Sequence, residues 1–111
     1  MTPRFKKIKD FVLGKRYDLS VAFLSAAEMR RVTRRTKHKN KLSNVLSFPL
    51  SAASGEILIC RAAAKPFTVE YLFIHGLLHL KGLRHGVTME RRENQLLKKF
   101  KFKKWLKSSP A

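Results

Sequence analysis

Phe5, Ile8 and Val12 recur at the spacing of one helix face near the start of the chain. Thr2 is placed to cap that helix with Pro3 at its first position, and Gly14 ends it. Asp18 to Leu24 has strand composition and a mostly alternating pattern. Ser25-Ala26-Ala27-Glu28 is a capping box, in which the serine hydroxyl takes an orphan N–H and Glu28 reaches back. It opens a helix running to about Thr36. A basic loop, Lys37 to Lys41, leads to Val45–Leu50, which reads as a strand stopped near Pro49. Ser51 to Gly55 is a turn of small residues, and Glu56 to Cys60 returns as a strand, giving a hairpin with a five-residue connection. Pro66 interrupts any short helix over Arg61 to Lys65. From Thr68 to about Lys81, closed by Gly82, the residues Leu72, Phe73, Ile74, Leu77, Leu78 and Leu80 cover nearly the whole circumference of a helix. A helix apolar on every side belongs in a core. Thr88 is placed to cap a last helix, Met89 to about Leu106. No repeat or long linker divides the chain, and 111 residues suffice for one core, so residues 1–111 read as a single domain.

Charge changes this picture from a generic small domain to a binder of polyanions. The chain has 25 Lys+Arg against 7 Asp+Glu, a formal net charge of +18. Neutralising phosphates releases counterions, so nucleic acid is the first expected partner and an anionic membrane surface the second. The tail Lys98-Lys99-Phe100-Lys101-Phe102 lacks one clean apolar stripe, which argues against the membrane. No apolar stretch approaches the roughly 18 residues of a spanning helix. The first ten residues are too charged for a signal peptide. A cytoplasmic location follows as the expectation. The single cysteine, Cys60, lies in an apolar run and reads as a small buried hydrophobe.

Three of the four histidines fall together as His75-Gly-Leu-Leu-His79-Leu-Lys-Gly82-Leu-Arg-His85. His75 and His79 are one turn apart on the same helix face. Gly82 lets the chain leave the helix, so that His85 can fold back to complete a trigonal face. Three neutral imidazoles with a fourth position open are the ligand set of a catalytic zinc site. Nitrogen donors also accommodate nickel, copper and iron, so zinc is an inference. The spacing matches the metzincin pattern H-E-x-x-H-x-x-G-x-x-H except that Gly76 stands where the general-base glutamate would be. No acidic residue lies between Glu70 and Glu90 to replace it, which argues against a peptidase.

The same residues resemble the zinc signature of the YbeY family, H-G-x-L-H-L-x-G-x-D-H. Ser43-Asn44-Val45-Leu46-Ser47-Phe48-Pro49 resembles that family's T-D-V-L-S-F-P, and Gly55-Glu56-Ile57 its G-D-I. The three motifs occur in the family's order and, with the elements between them, cover roughly Asp18 to Phe100. The resemblance implies an α+β fold, a small mixed β-sheet packed with helices, with the three-histidine site at the end of a buried helix and in the following loop. It implies one Zn2+ on His75, His79 and His85 plus water. It also implies a zinc-dependent endoribonuclease specific for single strands, acting in rRNA maturation, in small-subunit rRNA processing and in ribosome quality control. The family's functional arginine aligns with Lys37, which keeps the charge but loses the bidentate fork. Asn44 and Arg84 stand where the family has aspartates. The family's usual first strand has no counterpart here, and the segment between Cys60 and Thr68 is short.

On this reading a coordinated water, its pKa lowered toward ~7, would supply the base or nucleophile. Lys37 would be the catalytic electrostatic partner, and Arg34, Arg35, Lys37, Lys39, Lys41 and Arg84 would contact RNA. His38 is either a proton carrier or a solvated loop residue. Lys98 to Lys107 would extend the footprint, with Phe102 and Trp105 either stacking on bases or packing on the core. The lost aspartates leave a second reading open: a zinc-stabilised RNA- or ribosome-binding assembly factor with little or no catalysis.

Overall fold

The computed structural model describes residues 1–107. Four helices and three strands follow in the order α1 (Pro3–Leu13), β1 (Asp18–Phe23), α2 (Ala26–Lys37), β2 (Val45–Ser51), β3 (Ser54–Ile59), α3 (Val69–Lys81) and α4 (Val87–Phe100), with a short 3-10 turn at Arg61–Ala63. The sheet is mixed, in the order β1-β3-β2, with β1 parallel and β2 antiparallel to β3. Alternation along β3 divides the interior between the sheet's two faces. Ile57 and Ile59 face the larger core with α1, α3 and α4, while Leu58 and Cys60 join Met29 of α2 and Leu46 on the other face. The fold is thus α+β, as the resemblance implies. Cys60 is fully buried and free, as its apolar neighbours predict.

Buried α3 is the axis of the molecule. It packs against α1, β2, β3 and α4, and Phe5 of α1 stacks on Phe73 at 4.1 Å between ring centroids. Two of the three helix caps read from the sequence are formed: the Thr2 hydroxyl accepts from the Phe5 N–H at 3.2 Å, and Ser25 and Glu28 complete the capping box. At the start of α3 the Thr68 hydroxyl accepts from the Tyr71 N–H at 3.1 Å. At the far end Gly82 sits at φ +106, a conformation an L side chain rarely adopts. Its N–H bonds the His79 carbonyl at 3.0 Å and the Leu83 N–H bonds the Leu78 carbonyl at 2.9 Å, the two bonds of a Schellman turn. That turn directs His85 back toward the helix.

Three boundaries differ from expectation. β2 runs through Pro49 to Ser51, because it is an edge strand where a missing N–H costs little; a register shift follows the proline. The hairpin connection is therefore only Ala52-Ala53, with Ser51 paired to Ser54 and the Ser51 hydroxyl accepting from the Ala53 N–H at 3.1 Å. α4 begins at Val87, so Thr88 lies inside its first turn and does not cap it. It also ends at Phe100: Lys101 adopts the left-handed conformation, and the Phe102 N–H closes on the Leu97 carbonyl at 2.9 Å. Leaving the helix there brings Phe102 against the core. A further contact carries no sequence signal. Buried Lys9 donates from Nζ to the carbonyls of Gly14, Lys15 and Tyr17 at 3.3, 3.2 and 3.1 Å, tying α1 to the start of β1.

Candidate metal centre

The three histidines converge. One ring nitrogen from each of His75, His79 and His85 lies within 4.8 Å of the others. The helix provides the first two from adjacent turns, and the Gly82 turn provides the third. Ring tautomers follow from the partners. His75 Nδ1–H donates to Glu93 Oε2 at 2.5 Å, and His79 Nδ1–H donates to the Leu83 carbonyl at 3.1 Å. In neutral rings this leaves both Nε2 lone pairs free, and the two atoms face each other at 3.1 Å. Two such lone pairs repel until a proton or a metal ion lies between them. The donor set fits a metal ion, as a divalent metal demands neutral imidazoles oriented by hydrogen bonds through their other nitrogens. Burial, reinforced by the neighbouring His75 and His85, holds His79 below the ordinary imidazole pKa and favours that neutral form.

Glu93 is the functional residue that sequence reasoning does not single out. It is 4% exposed and sits on the apolar stripe of α4 with Met89, Leu96 and Leu97. A carboxylate on such a stripe needs a buried partner, and that is the signal by which it could have been found. Tyr71 stands beside it. Burial first, then the adjacent Glu93, pushes the Tyr71 phenol up to about 12, so it remains a neutral O–H donor.

Gly76 is explained by packing. A Cβ there would lie 2.9 Å from Ser47 Oγ and 3.1 Å from the Ile57 side chain, and the Ser47 hydroxyl donates to the Gly76 carbonyl at 3.1 Å. α3 meets the sheet at this point, and a glutamate has no room. The peptidase pattern therefore fails sterically as well as chemically.

The histidines form one wall of a cleft of about 620 Å3, whose other walls come from the end of α2, the following loop and β2. Lys37, Lys39 and Lys41 line it, with Ser43, Asn44 and Ser47, and among the described residues no carboxylate lines it. The loop is held in place. Thr33 Oγ1 lies 2.9 Å from Ser43 Oγ, Arg34 Nη2 donates to Asn40 Oδ1 at 3.1 Å, and the Cys60 N–H donates to the Asn44 carbonyl at 2.9 Å. The structure thus brings Lys37, Lys39 and Lys41 to the histidines, but not the other expected RNA contacts. Arg34 is engaged with Asn40, while Arg35 and Arg84 are exposed and do not line the cleft. His38 is the left-handed cap of α2, exposed and outside the cleft, which leaves it a turn residue.

Comparison with known proteins agrees with this geometry. The family model described as Endoribonuclease YbeY matches residues 4–101. The Endoribonuclease YbeY of Chromohalobacter salexigens is 36% identical over 107 residues, covering 77% of this chain and 70% of that protein. Its namesake in Rubrobacter xylanophilus is 35% identical over 80 residues, covering 68% of this chain and 58% of that protein. That of Finegoldia magna is 31% identical over 104 residues, covering 74% and 68%. The chain thus spans between 58% and 70% of the length of these three relatives. With residues of the Ser43–Pro49 motif and the three histidines lining one cleft, and the match running through nearly all of the described fold, the chain belongs to the YbeY endoribonuclease family.

Proposed function

We propose that this protein is a zinc-dependent endoribonuclease that cleaves single-stranded RNA in the cytoplasm, acting in maturation of small-subunit ribosomal RNA and in ribosome quality control. The observation that carries this reading is the placement of three converging imidazoles in the wall of a cleft lined by Lys37, Lys39 and Lys41. Its relatives' name supplies the reaction class. In this reading His75, His79 and His85 hold the metal, and Glu93 keeps the His75 proton on Nδ1 so that Nε2 points inward. Zinc bound by three imidazoles supplies Lewis-acid polarisation of a phosphoryl oxygen and a water acidic enough to ionise near pH ~7. Lys37, Lys39 and Lys41 bind the phosphates on either side of the scissile bond, and Lys37 stabilises charge developing on the phosphate oxygens. Among the described residues no helix is long and apolar enough to cross a membrane.

The test is cleavage of a single-stranded oligoribonucleotide by the zinc-loaded protein, with a chelator control and His79→Ala. Cleavage should be lost in both controls. If the zinc-loaded protein binds RNA and leaves it intact, the enzyme reading falls. That result would favour a zinc-stabilised RNA- or ribosome-binding assembly factor, the reading that the lysine-lined cleft also accommodates.

A further inference from the structure

A second, smaller cleft of about 200 Å3 opens on the histidines from the α4 side. It shares His75 and His85 with the lysine cleft, and its remaining lining includes Tyr71, Glu93 and Lys104. Lys104 belongs to the extended segment that follows α4, and this segment is fixed. Phe67 and Trp105 form an antiparallel bridge, the Thr68 N–H donates to the Lys104 carbonyl at 3.0 Å, and the Leu106 N–H donates to the Pro66 carbonyl at 2.8 Å. The Thr68 hydroxyl donates to the Lys103 carbonyl at 2.5 Å.

An aromatic series leads outward from the cluster along this segment. His75 and Tyr71 lie 5.9 Å apart between ring centroids, Tyr71 and Phe67 5.0 Å, and Phe67 and Trp105 4.9 Å. Trp105 is the outermost ring. One of its faces stacks on Phe67 at 25° between planes, yet the residue remains 54% exposed. Lys104 Nζ lies 5.1 Å from both the Tyr71 and the Trp105 ring centres. Phe102, the other aromatic of the tail, differs: it is packed against the core with the Arg4 guanidinium over its ring at 5.0 Å. So the tail offers one aromatic ring that is held in place against Phe67, is about half exposed and has a cation over it. A ring already immobilised loses little entropy when a planar ligand stacks on it. Stacking is also how single strands are bound without regard to sequence, because every base has a π-face.

We propose that Trp105 is a stacking platform for an unpaired nucleobase, with Lys104 taking an adjacent phosphate. An RNA strand lying in the lysine cleft would cross the histidines and rest a base on this ring. Duplex RNA keeps its bases stacked on one another and cannot use it, so the platform selects for unpaired substrate. The inference rests on the RNA reading above, and its own readout is independent of cleavage.

Trp105 is the sole tryptophan of the chain, so the fluorescence of the full-length protein reports on this ring alone. The probe is a 2′-O-methyl oligoribonucleotide without self-complementarity, free or annealed to its complement. Saturation with the single strand should quench the emission, and the duplex should leave it unchanged. Trp105→Leu keeps an apolar contact with Phe67 and should weaken single-strand binding roughly tenfold, while Trp105→Phe should restore most of the loss. Circular dichroism of both variants separates lost binding from lost folding. Unchanged emission at saturation, or single-strand affinity in Trp105→Leu equal to the parent's, overturns the platform. Quenching by the single strand in a protein that never cleaves RNA would refute the nuclease reading and keep the platform. Cleavage with unaltered emission would do the reverse.

Discussion

Each imidazole in the cluster has two nitrogens, and what one of them holds decides what the other can do. His75 and His79 both bind a fixed acceptor through Nδ1, which leaves Nε2 bare in both. Glu93 differs from the Leu83 carbonyl in being charged, and its charge raises the basicity of the ring it orients. Glu93→Gln preserves an acceptor oxygen but removes the charge, so zinc affinity should fall by roughly ten- to a hundredfold with the fold intact. Competition calorimetry measures this, and an unchanged affinity would reduce the pair to a packing contact. His79 adds a dependence on pH. Its folded-state pKa is depressed, so the unfolded chain takes up the proton first as pH falls below ~6.5. The metal-free protein should therefore lose stability between about pH 6.5 and the lower folded value, and not gain it. Denaturant midpoints at pH 7.5, 6.5 and 5.5 should drop more steeply for the parent than for His79→Gln, whose side chain does not titrate. Parallel curves would remove His79 as the cause.

At the scale of elements, one glycine within α3 and the one that ends it serve the same site for different reasons. Gly82 has open space around its missing Cβ but a φ of +106, so Gly82→Ala carries a backbone cost of about 1–2 kcal/mol. Since the Gly82 turn also carries His85, zinc affinity should fall in that variant along with stability. Gly76 has ordinary helical geometry, and alanine there would gain ~1 kcal/mol of helix propensity. Its Cβ would nevertheless meet Ser47 Oγ at 2.9 Å and Ile57 on the rigid sheet. Overpacking of about 1–3 kcal/mol should outweigh the propensity, and thermal denaturation of Gly76→Ala should show net destabilisation. A more stable variant would mean that the Ser47 side chain yields freely. The same contrast explains what could be read from the residues alone. Local signals carried the Thr2 cap of α1, the capping box of α2, the Gly82 turn and the spacing of the three histidines, because each is a matter of neighbours along the chain. The steric role of Gly76 and the His75–Glu93 pair depend on which elements meet across the core, and no local pattern encodes that. The overextended last helix failed for a related reason. The basic stretch after Phe100 has good helix formers, and only the reach of Phe102 to the core and of Trp105 to Phe67 ends the helix there.

Over the whole molecule, a formal charge of +18 attracts any polyanion, so RNA binding by itself says little about where RNA lies. The salt dependence separates a diffuse field from defined contacts. For single strands the logarithm of the binding constant falls with the logarithm of salt by about 0.7 per phosphate contacted. If Lys37, Lys39 and Lys41 each hold a phosphate in the cleft, replacing all three by glutamine should flatten that slope by about 2. Lys6, Lys7 and Lys15 are the matched control: they are exposed, line neither the lysine cleft nor the smaller one, and carry the same total charge. Replacing them lowers the overall field equally but should leave the slope nearly unchanged. Filter binding of a 2′-O-methyl oligoribonucleotide between 50 and 300 mM salt, roughly the range in which such contacts change affinity by orders of magnitude, makes the comparison. Equal flattening in the two triple variants would assign binding to net charge alone. A loss confined to the cleft variant places the strand along the lysines and hence against the histidines, where His75 and His85 connect that cleft to the one beneath Lys104.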